Sequence, residues 1–449
     1  MERPLHPLAR YRKQLPPLAR ALLYADQTAE AHVQVLRNAF RTEPSPRRLS
    51  LLAARTIRWT STHPQPRLNR VVQLLHADGL FSKLLERHGL QQLPLAGSPA
   101  RMRPFTKTGS PLPLETVRDL AEWLRLDPEH LLWFADLQNR NGSETSALLH
   151  HYNRRVLAKP YGSIRLVESP KQHLKSIQRQ ILHGILSPVP LHAAVHGFRE
   201  GRSILTFAAP HVAREAVLRL DLENFFPSIS GPRVQALFRT LGYPEPVADL
   251  LGGLCTATTP HQFWRQTDCE LSAAELQHAR ALYAQPHLPQ GAPTSPALAN
   301  LCAFRLDCRI GGLAKAAGAV YTRYADDLAF SGDVQFARRA NRFALHVAAI
   351  VSEEGFAVHP RKTRLMRPAV RQHLAGLTLN VHSNLPRRDL DLLEAILTNC
   401  VRHGPDTQNR EQHPDFRRHL EGRVAFVAMV NPARALGLRD LFKQIVWAE

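Results

Sequence analysis

The stretch Tyr321–Ser331, with the sequence YTRYADDLAFS, constrains the fold of this chain more than any other. Two short runs of aromatic and aliphatic residues flank the adjacent carboxylates of Asp326 and Asp327, which predicts a β-hairpin with its tight turn at this pair. Neighbouring carboxylates repel each other unless a cation neutralises them. Mg²⁺ prefers such oxygen ligands and leaves coordination positions for substrate phosphates. Considered alone, an ordinary solvated Asp-Asp turn explains the stretch equally well.

The charge of the chain indicates the class of its partner. A net charge of +20 and a pI near 10.5 predict a polyanion, with nucleic acid favoured over a membrane surface. Residues 1–110 contain 18 Lys and Arg against 6 Asp and Glu, and so carry +12 of that charge. Charge concentrated in this way is expected on a phosphate-binding face, although a merely solvated basic surface is the alternative.

The cysteine spacing and the length of the apolar runs indicate the cellular compartment of the protein. The 5 cysteines form no CxxC pair, which argues against a disulfide framework or a zinc site and fits a reducing cytosol. No apolar run approaches the roughly 20 residues needed to span a bilayer, and the N-terminus lacks a signal-peptide core. A soluble, cytoplasmic protein without a membrane partner is therefore expected.

Hydrophobic periodicity predicts helices on both sides of a mixed central part. Helices are expected at residues 18–40, 48–59, 71–88, 114–126 and from Pro128 onward, and again at 171–186, 297–306, 334–354, 390–401, 416–429 and 431–448. Residues 91–113 are rich in Pro, Gly and basic side chains and predict a linker. Strands are expected at 164–170 and at 218–221, where the second strand ends on Asp221.

Three aspartates supply the groups that two-metal nucleotidyl transfer requires. Asp221 stands at a predicted strand end, and Asp326 and Asp327 stand on the predicted hairpin. In that chemistry two bound ions lower the pKa of the attacking hydroxyl and stabilise charge on the phosphate and the leaving pyrophosphate. The aspartates must then come from different strands of one sheet, which their wide separation in sequence allows.

Three further stretches are typical of nucleic-acid contacts. The Gly- and Arg-rich loop at 196–203, which includes Arg202, precedes a helix and suits a phosphate or RNA. Lys175 and Arg179 lie four residues apart on one helix face and can reach neighbouring phosphates, although such pairs are often only solvated. The Pro- and Gly-containing loop at 288–296 lets the backbone lie flat against a base or template strand.

Taken together, these stretches resemble the conserved boxes of reverse transcriptases, and of retron reverse transcriptases in particular. The YADD box at 324–327 is similar to motif C, and Asp221 with the segment 225–229 (FFPSI) is similar to motif A in its retron form. Residues 288–296 resemble motif B, and residues 355–363 resemble motif D. The fingers motifs are matched upstream by Arg165, Pro170, Leu174-Lys175, Ile177-Gln178-Arg179 and His196-Gly197-Phe198. The boxes occur in the family order over roughly residues 150–380, and jointly they are very specific.

The resemblance implies roles for individual residues. Asp221 and Asp326 would hold two Mg²⁺ ions with Asp327 beside them. Phe226 lies where the family keeps an aromatic ring that excludes a ribose 2′-OH, whereas Phe225 suits a core position. The implied nucleotide contacts are Leu222, Phe226, Gln290, Gly291 and Lys362, of which Lys362 would approach the triphosphate. The implied template or RNA contacts are Arg165, Lys175, Arg179, Arg202, His211 and Gly376.

Two signatures of retron enzymes are altered in this sequence. The Asn-Ala-x-x-His box corresponds to residues 207–211 (FAAPH), which keep the alanine and histidine but not the asparagine. The Val-Thr-Gly triplet, associated with recognition of the cognate RNA, corresponds to residues 374–376 (LAG), which keep the glycine. The polymerase motifs are complete, whereas the signatures of RNA recognition and priming are changed.

The implied fold is of the α+β class, a right-hand polymerase with an antiparallel palm sheet. Its expected parts are a basic helical N-terminal extension (1–110), a helical linker region (111–160) leading into the fingers, fingers and palm (161–380), and a helical thumb expected to recognise RNA (381–449).

The implied function is that of a retron-type RNA-directed DNA polymerase in bacterial antiphage defence. It would copy part of a cognate structured non-coding RNA from dNTPs into a branched RNA–DNA hybrid (msDNA), primed from a guanosine 2′-OH. A host RNase H would remove the RNA, and a retron effector protein would be a further partner. The alternatives are another bacterial reverse transcriptase, of the defence-associated or group II intron-like sort, and a non-catalytic RNA-binding protein. The intron type is disfavoured because no Cys/His-rich endonuclease segment follows the expected thumb.

Overall fold

The computed structural model of the chain describes residues 11, 14–24, 28–61, 68–91, 112–137, 150–159, 163–266 and 272–447. These residues form a helix-rich α+β structure that divides into two compact units. Within the described ranges, no helix combines the length and apolar character that crossing a membrane requires. Most of the predicted linker at 91–113 lies outside the described residues.

Five helices bury a common apolar core in the first unit. They are α1 (Leu15–Tyr24), α2 (Ala29–Ala39), α3 (Pro46–Ser61), α4 (Leu68–Ala77) and α5 (Gly79–His88). The single helices predicted at 18–40 and 71–88 are wrong, because each stretch forms two helices. Thr28 and Asp78 accept hydrogen bonds from the first amides of α2 and α5, and an N-cap of this kind starts a new helix.

Short helices and a β-hairpin follow the first five helices along the chain. The elements in this part of the chain are α6 (Val117–Leu124), α7 (Pro128–Ala135), β1 (Tyr152–Lys159), β2 (Ser163–Pro170), α8 (Gln172–Ile181) and α9 (Ile204–Ala208). Strands β1 and β2 pair antiparallel over their whole length. The helix predicted at 171–186 is α-helical only to Ile181 and continues as one π-helical segment, Leu182–Leu186.

A four-stranded antiparallel sheet forms the centre of the second unit. Its strands are β3 (Ala216–Asp221), β4 (Val320–Tyr324), β5 (Asp327–Gly332) and β6 (Arg364–Met366), in the spatial order β4-β5-β3-β6. The segment between β3 and β4 carries α10 (Gly231–Thr240), α11 (Glu245–Cys255), α12 (His261–Gln266), α13 (Ala273–Tyr283), α14 (Ser295–Cys302) and α15 (Phe304–Ala316). Helix α16 (Val334–Glu353) follows β5.

The two faces of this sheet have different functions because successive side chains of a strand point to opposite sides. Leu218 and Leu220 of β3 share a face that packs on α16. Val217 faces the other way and joins a core with Phe207 of α9. Arg219 and Asp221 share the face of Val217, because alternate residues of a strand point to the same side. The guanidinium of Arg219 and the carboxylate of Asp221 at the strand end are therefore on one face.

The C-terminal part of the second unit is helical after a short hairpin. The hairpin consists of β7 (His373–Leu374) and β8 (Leu377–Thr378), and the helices are α17 (Arg387–His403), α18 (Phe416–Val430) and α19 (Pro432–Gln444). Leucines and valines of these three helices form one core. In the hairpin turn both Ala375 (φ +45°) and Gly376 (φ +83°) are left-handed, which is the backbone that a tight hairpin turn requires.

Candidate active site

The hairpin that carries Asp326 and Asp327 turns one residue earlier than the sequence predicted. Strand β4 ends at Tyr324, and Tyr324 pairs with Asp327, the first residue of β5. The turn residues are therefore Ala325 and Asp326, and the prediction of a turn at Asp326-Asp327 is wrong. Ala325 takes the left-handed backbone (φ +55°) that the first position of such a turn favours. The shift places Asp326 on the turn and Asp327 in the sheet.

The folded sheet brings the three aspartates together. Asp221, the last residue of β3, is directly opposite Asp327 in the β3–β5 register. The amide of Leu222 donates to the backbone carbonyl of Asp326 over 2.9 Å, which ties the end of β3 to the turn. Burial raises the pKa of the Asp326 carboxyl, and the charges of Asp221 and Asp327 raise it further. The site therefore concentrates negative charge in a place with little water.

Two basic side chains, those of Arg219 and Lys362, each bind one carboxylate of the site. Arg219 donates to both oxygens of Asp327 over 2.7 to 2.9 Å. The ammonium of Lys362 lies 3.1 and 3.0 Å from the two oxygens of Asp221. Among the described residues, no salt bridge or side-chain hydrogen bond engages the carboxylate of Asp326. Burial raises the pKa of Asp327 although Arg219 opposes that shift, so Asp327 is a partly neutralised carboxylate.

The arrangement fits a divalent cation held by Asp221 and Asp326. Both supply hard oxygen ligands, and their mutual repulsion is relieved only by positive charge. Within the described ranges, no group of three or more His, Cys, Asp or Glu side chains is arranged so that it could hold a metal ion. Arg219 engages the oxygens of the third aspartate, Asp327, whose contribution as a metal ligand stays a prediction. Asp221, whose carboxylate contacts Lys362, and Asp326 are the residues that could hold a divalent cation, and their role as ligands stays a prediction.

The loop predicted to line the nucleotide pocket lies beside the end of β2. The amide of Glu168 donates to the carbonyl of Gln290 over 2.8 Å. Gly291 has φ +130°, and a Cβ at this position would stand 3.0 Å from the Glu168 carbonyl oxygen, so only glycine fits without displacement. Gln290 is half-buried and Gly291 is exposed. The structure thus places both residues against the β1–β2 hairpin.

A buried ionic network supports this junction. The fully buried carboxylate of Glu168 accepts hydrogen bonds from Arg154 (3.0 Å) and Thr259 (2.9 Å) and lies 2.7 Å from Nε2 of His287. Burial alone would raise the pKa of Glu168, but His287 and Arg154 hold it below its usual value. Because each oxygen is satisfied, the network is a rigid support for the loop.

Aromatic rings flank the carboxylates. Phe226 is half-buried, and its ring centre is 5.7 Å from that of Phe225 and 6.1 Å from that of Phe198. Phe225 is buried, which confirms its prediction as a core residue. Phe198 is 48% exposed with φ +55°, and its ring centre is 6.4 Å from that of Tyr324. The sequence pattern assigns Phe198 only to a fingers motif and does not indicate its position beside Phe226.

Two predicted contact residues are buried instead. His211 is fully buried, with its ring nitrogens 2.7 Å from the hydroxyls of Ser331 and Thr322, so the prediction that it contacts RNA is wrong. Because Thr322 donates its own hydrogen to Phe207, Nε2 of His211 donates to Thr322 and Nδ1 accepts from Ser331. Leu222 is also buried, with its amide bonded to Asp326, and in this structure it forms part of the floor of the site.

The position of His211 predicts a pH-dependent stability. Burial lowers its pKa to about 3, so between pH 3 and about 6.5 the unfolded chain binds a proton that the folded chain does not. The free energy of unfolding should therefore fall as the pH drops below 6.5, by up to about 1.4 kcal/mol per pH unit from this residue. Chemical denaturation of wild type and His211→Gln from pH 7 to pH 4 tests this. The variant should lose less stability over that range, and parallel curves would contradict the assignment.

The predicted template contacts lie on the surface. Arg165 is exposed on β2, and on α8 Arg179 is exposed while Lys175 is half-buried. Arg202 is exposed just before α9, and Gly376 is exposed in the β7–β8 turn. All five positions are accessible to a ligand, and their contacts with nucleic acid stay predictions.

The second residue missed by the sequence analysis is Arg219. It stands two positions before Asp221 on the same strand, and the alternation of a β-strand places both side chains on one face. The sequence RLD therefore contained a signal for a cation beside the carboxylates. Its partner Asp327, 108 residues later, is set by the strand register.

Comparison with known proteins identifies the family. Residues 157–395, more than half of the chain, match the family described as "Reverse transcriptase (RNA-dependent DNA polymerase)". The retron Mx65 reverse transcriptase of Myxococcus xanthus is 42% identical over 292 residues, which are 64% of this chain and 63% of that protein. The retron Mx162 reverse transcriptase of the same organism is 35% identical over 335 residues, 72% of this chain and 65% of that protein. The retron Ec86 reverse transcriptase of Escherichia coli is 32% identical over 221 residues, 49% of this chain and 60% of that protein.

The matched regions thus span less than two thirds of each of these relatives. Fingers, palm and thumb make up the fold of this family, and its members use divalent metal ions, typically Mg²⁺. The antiparallel sheet that carries Asp221 and Asp326 lies within the matched region and corresponds to the palm. The chain therefore belongs to the reverse transcriptase family, and its resemblance to the retron-type enzymes is confirmed.

Proposed function

We propose that the chain is an RNA-directed DNA polymerase of the retron type. The observation that carries the proposal is the meeting of Asp221 and Asp326 at adjacent strand ends of a palm sheet, with Lys362 beside them. It would copy part of a cognate structured RNA into DNA that stays joined to the RNA at a branch, as msDNA, with a guanosine 2′-OH as the primer.

The residues of the site would bind metal ions, the nucleotide and its triphosphate. Asp221 and Asp326 would hold two Mg²⁺ ions, which supply charge stabilisation for the reacting phosphate and a lowered pKa for the attacking hydroxyl. Lys362, whose side chain is 47% exposed, would move from Asp221 towards the triphosphate when a nucleotide binds. Gln290 and Gly291 would line the nucleotide pocket at the junction with β2. Arg219 would keep Asp327 from adding further repulsion.

The other proposals concern the partners. The basic residues 1–110 would bind RNA or a partner protein, and the helical region 381–449 would be the thumb that recognises the cognate RNA. A host RNase H would remove copied RNA, and an effector protein would link the enzyme to antiphage defence. The signature changes at residues 207–211 and 374–376 bear on RNA choice and priming, and they leave the aspartates untouched.

Purification of the protein from its native locus tests the proposal. The bound nucleic acid would be treated with RNase, with Asp326→Asn in parallel. A discrete single-stranded DNA attached to a short branched RNA, absent from the variant, is the expected result. DNA without a branch would move the protein to another class of bacterial reverse transcriptase. RNA alone in both preparations would contradict polymerase function and favour an RNA-binding protein.

Nucleotide selection gives a second test. Phe226→Ala removes the half-buried ring proposed to exclude a ribose 2′-OH. Discrimination between dNTP and rNTP should fall about 30-fold, the effect of about 2 kcal/mol in a shape-selective pocket. Single-nucleotide incorporation on an RNA template with an annealed DNA primer measures the ratio of kcat/KM values. The control is Phe198→Ala, which removes a neighbouring ring. Unchanged discrimination in Phe226→Ala would contradict the assigned role.

A further inference from the structure

Arg323 is a fully buried charged residue in the strand that leads into the catalytic turn. Its side chain is on the sheet face opposite to Asp221, because Arg323 pairs with Leu328 whereas Asp221 pairs with Asp327. Its guanidinium therefore bonds other partners than the carboxylates of Asp221 and Asp327. A buried guanidinium is costly unless its hydrogen bonds are satisfied, and its partners indicate what it does.

The guanidinium of Arg323 connects a helix to the turn. Nε and one terminal nitrogen each donate to a different oxygen of Asp307 on α15, both over 2.7 Å. The other terminal nitrogen donates to the carbonyl of Ala325 over 3.0 Å and to the side-chain oxygen of Asn300 on α14, also over 3.0 Å. Only the planar fork of arginine can serve these partners at once.

The same turn is held from its other side. Asn300 donates to the carbonyl of Gly197 over 2.9 Å. A Cβ on Gly197 would lie 2.6 Å from the amide nitrogen of Ala325, so the two backbones are in close contact. The amide of His196 donates to the carbonyl of Arg323, and the amide of Arg323 donates to Ala194. Ala325, in its left-handed conformation, is thus held at its carbonyl by Arg323, and its amide lies close to the backbone of Gly197.

We propose that Arg323 is a positioning residue for Asp326. Anchored by Asp307, its guanidinium holds the Ala325 carbonyl and thereby sets the direction in which the next residue, Asp326, presents its carboxylate beside Asp221. The inference rests on the proposed function, because the carboxylates act there as ligands of divalent cations. Loss of the fork would leave the ligands present but misaligned, and a displacement of about 1 Å can cost about 100-fold in rate.

The test compares Arg323→Lys with Arg309→Met. Lysine keeps a charge near Asp307 and so preserves folding, but it cannot also reach Ala325 and Asn300. Arg309 lies two residues from Asp307 on α15 and pairs with Glu353 and Glu354. Its loss therefore removes two ion pairs of the same helix without touching the turn. Arg323→Met, which removes the charge, is the stronger variant where it folds.

Two readouts are measured with each full-length protein. Mn²⁺ binding is followed by the loss of the free-ion EPR signal, and kcat and KM for a dNTP are measured on an RNA template with a DNA primer at several Mg²⁺ concentrations. Arg323→Lys should bind Mn²⁺ about fivefold more weakly and lose about tenfold in kcat, with KM within about twofold of wild type. Arg309→Met should lose thermal stability but keep the wild-type Mn²⁺ affinity and the wild-type kcat.

The outcomes distinguish the positioning role of Arg323 from the proposed function of the chain. Wild-type affinity and kcat in Arg323→Lys, or equal losses in both variants, would overturn the positioning role. Absence of incorporation by the wild type would overturn the proposed function. In that case the Mn²⁺ comparison still decides whether Arg323 orders the carboxylates.

Discussion

Replacement of Asp326 by Asn is expected to lower the rate of nucleotide incorporation by about 10³-fold or more. The carboxylate stands on the turn beside Asp221, and among the described residues it has no cation of its own. Its charge is therefore available to a divalent ion, and a bound ion stabilises the transition state by several kcal/mol. Each loss of about 1.36 kcal/mol of that stabilisation lowers the rate about tenfold. An amide keeps the shape but not the charge.

Asp327→Asn is the matched control, because it makes the same chemical change one residue further on. Arg219 already binds both oxygens of Asp327, so this variant should lose no more than about tenfold in rate while its salt bridge weakens. Single-turnover incorporation on an RNA template with a DNA primer measures both rates, and circular dichroism checks the fold. Equal losses in the two variants would show that the geometry does not distinguish the aspartates.

Gly197→Ala is expected to reduce kcat by about 100-fold although it adds only one methyl group. The new Cβ would lie 2.6 Å from the backbone nitrogen of Ala325 and 3.2 Å from the carbonyl carbon of Tyr324. Neither atom belongs to a flexible side chain, so the turn that carries Asp326 must shift. A shift of about 1 Å in a catalytic group is enough for a loss of this size.

Gly312→Ala supplies the control. Gly312 is exposed in α15, and a Cβ there would meet nothing within 4 Å. Alanine in place of a helical glycine should stabilise the protein by about 0.5–1 kcal/mol and leave kcat unchanged. Rates and thermal stabilities of both variants are compared with wild type. Wild-type kcat in Gly197→Ala would show that the turn tolerates displacement, and would also weaken the positioning role of Arg323.

The sequence was most informative where function restricts a short segment to few residue types. Asp221 at a strand end and the hairpin around Asp326 were both predicted from local patterns, and both strands are present in one antiparallel sheet. The predicted helix at 334–354 is α16, with its N-cap Asp333 bonded to the amide of Phe336. Alternation in strands and periodicity in helices are local properties, so the sequence of one segment shows them without reference to distant parts of the chain.

The errors arose where a neighbour distant in sequence decides the outcome. His211 looked like a polar residue available to RNA, but Ser331 and Thr322, more than a hundred residues away, enclose its ring. The turn at Asp326-Asp327 was displaced by one residue because the β4–β5 register pairs Tyr324 with Asp327. A pattern of two adjacent carboxylates does not show which of them belongs to a strand.

The family, the identity of the aspartates and the α+β class can all be predicted from the amino-acid sequence, since each depends on residue types at short spacing. Three relations follow only from the folded chain: the pairing of Asp327 with Arg219 and of Asp221 with Lys362, the position of Asp326 on the turn, and the reach of Arg323 to that turn. Those relations depend on strand register and on helix α15, whose Asp307 lies 16 residues before Arg323 and meets it only by packing. Coulomb and hydrogen-bond energies act between atoms that folding brings within about 3 Å, and a linear pattern does not contain that distance.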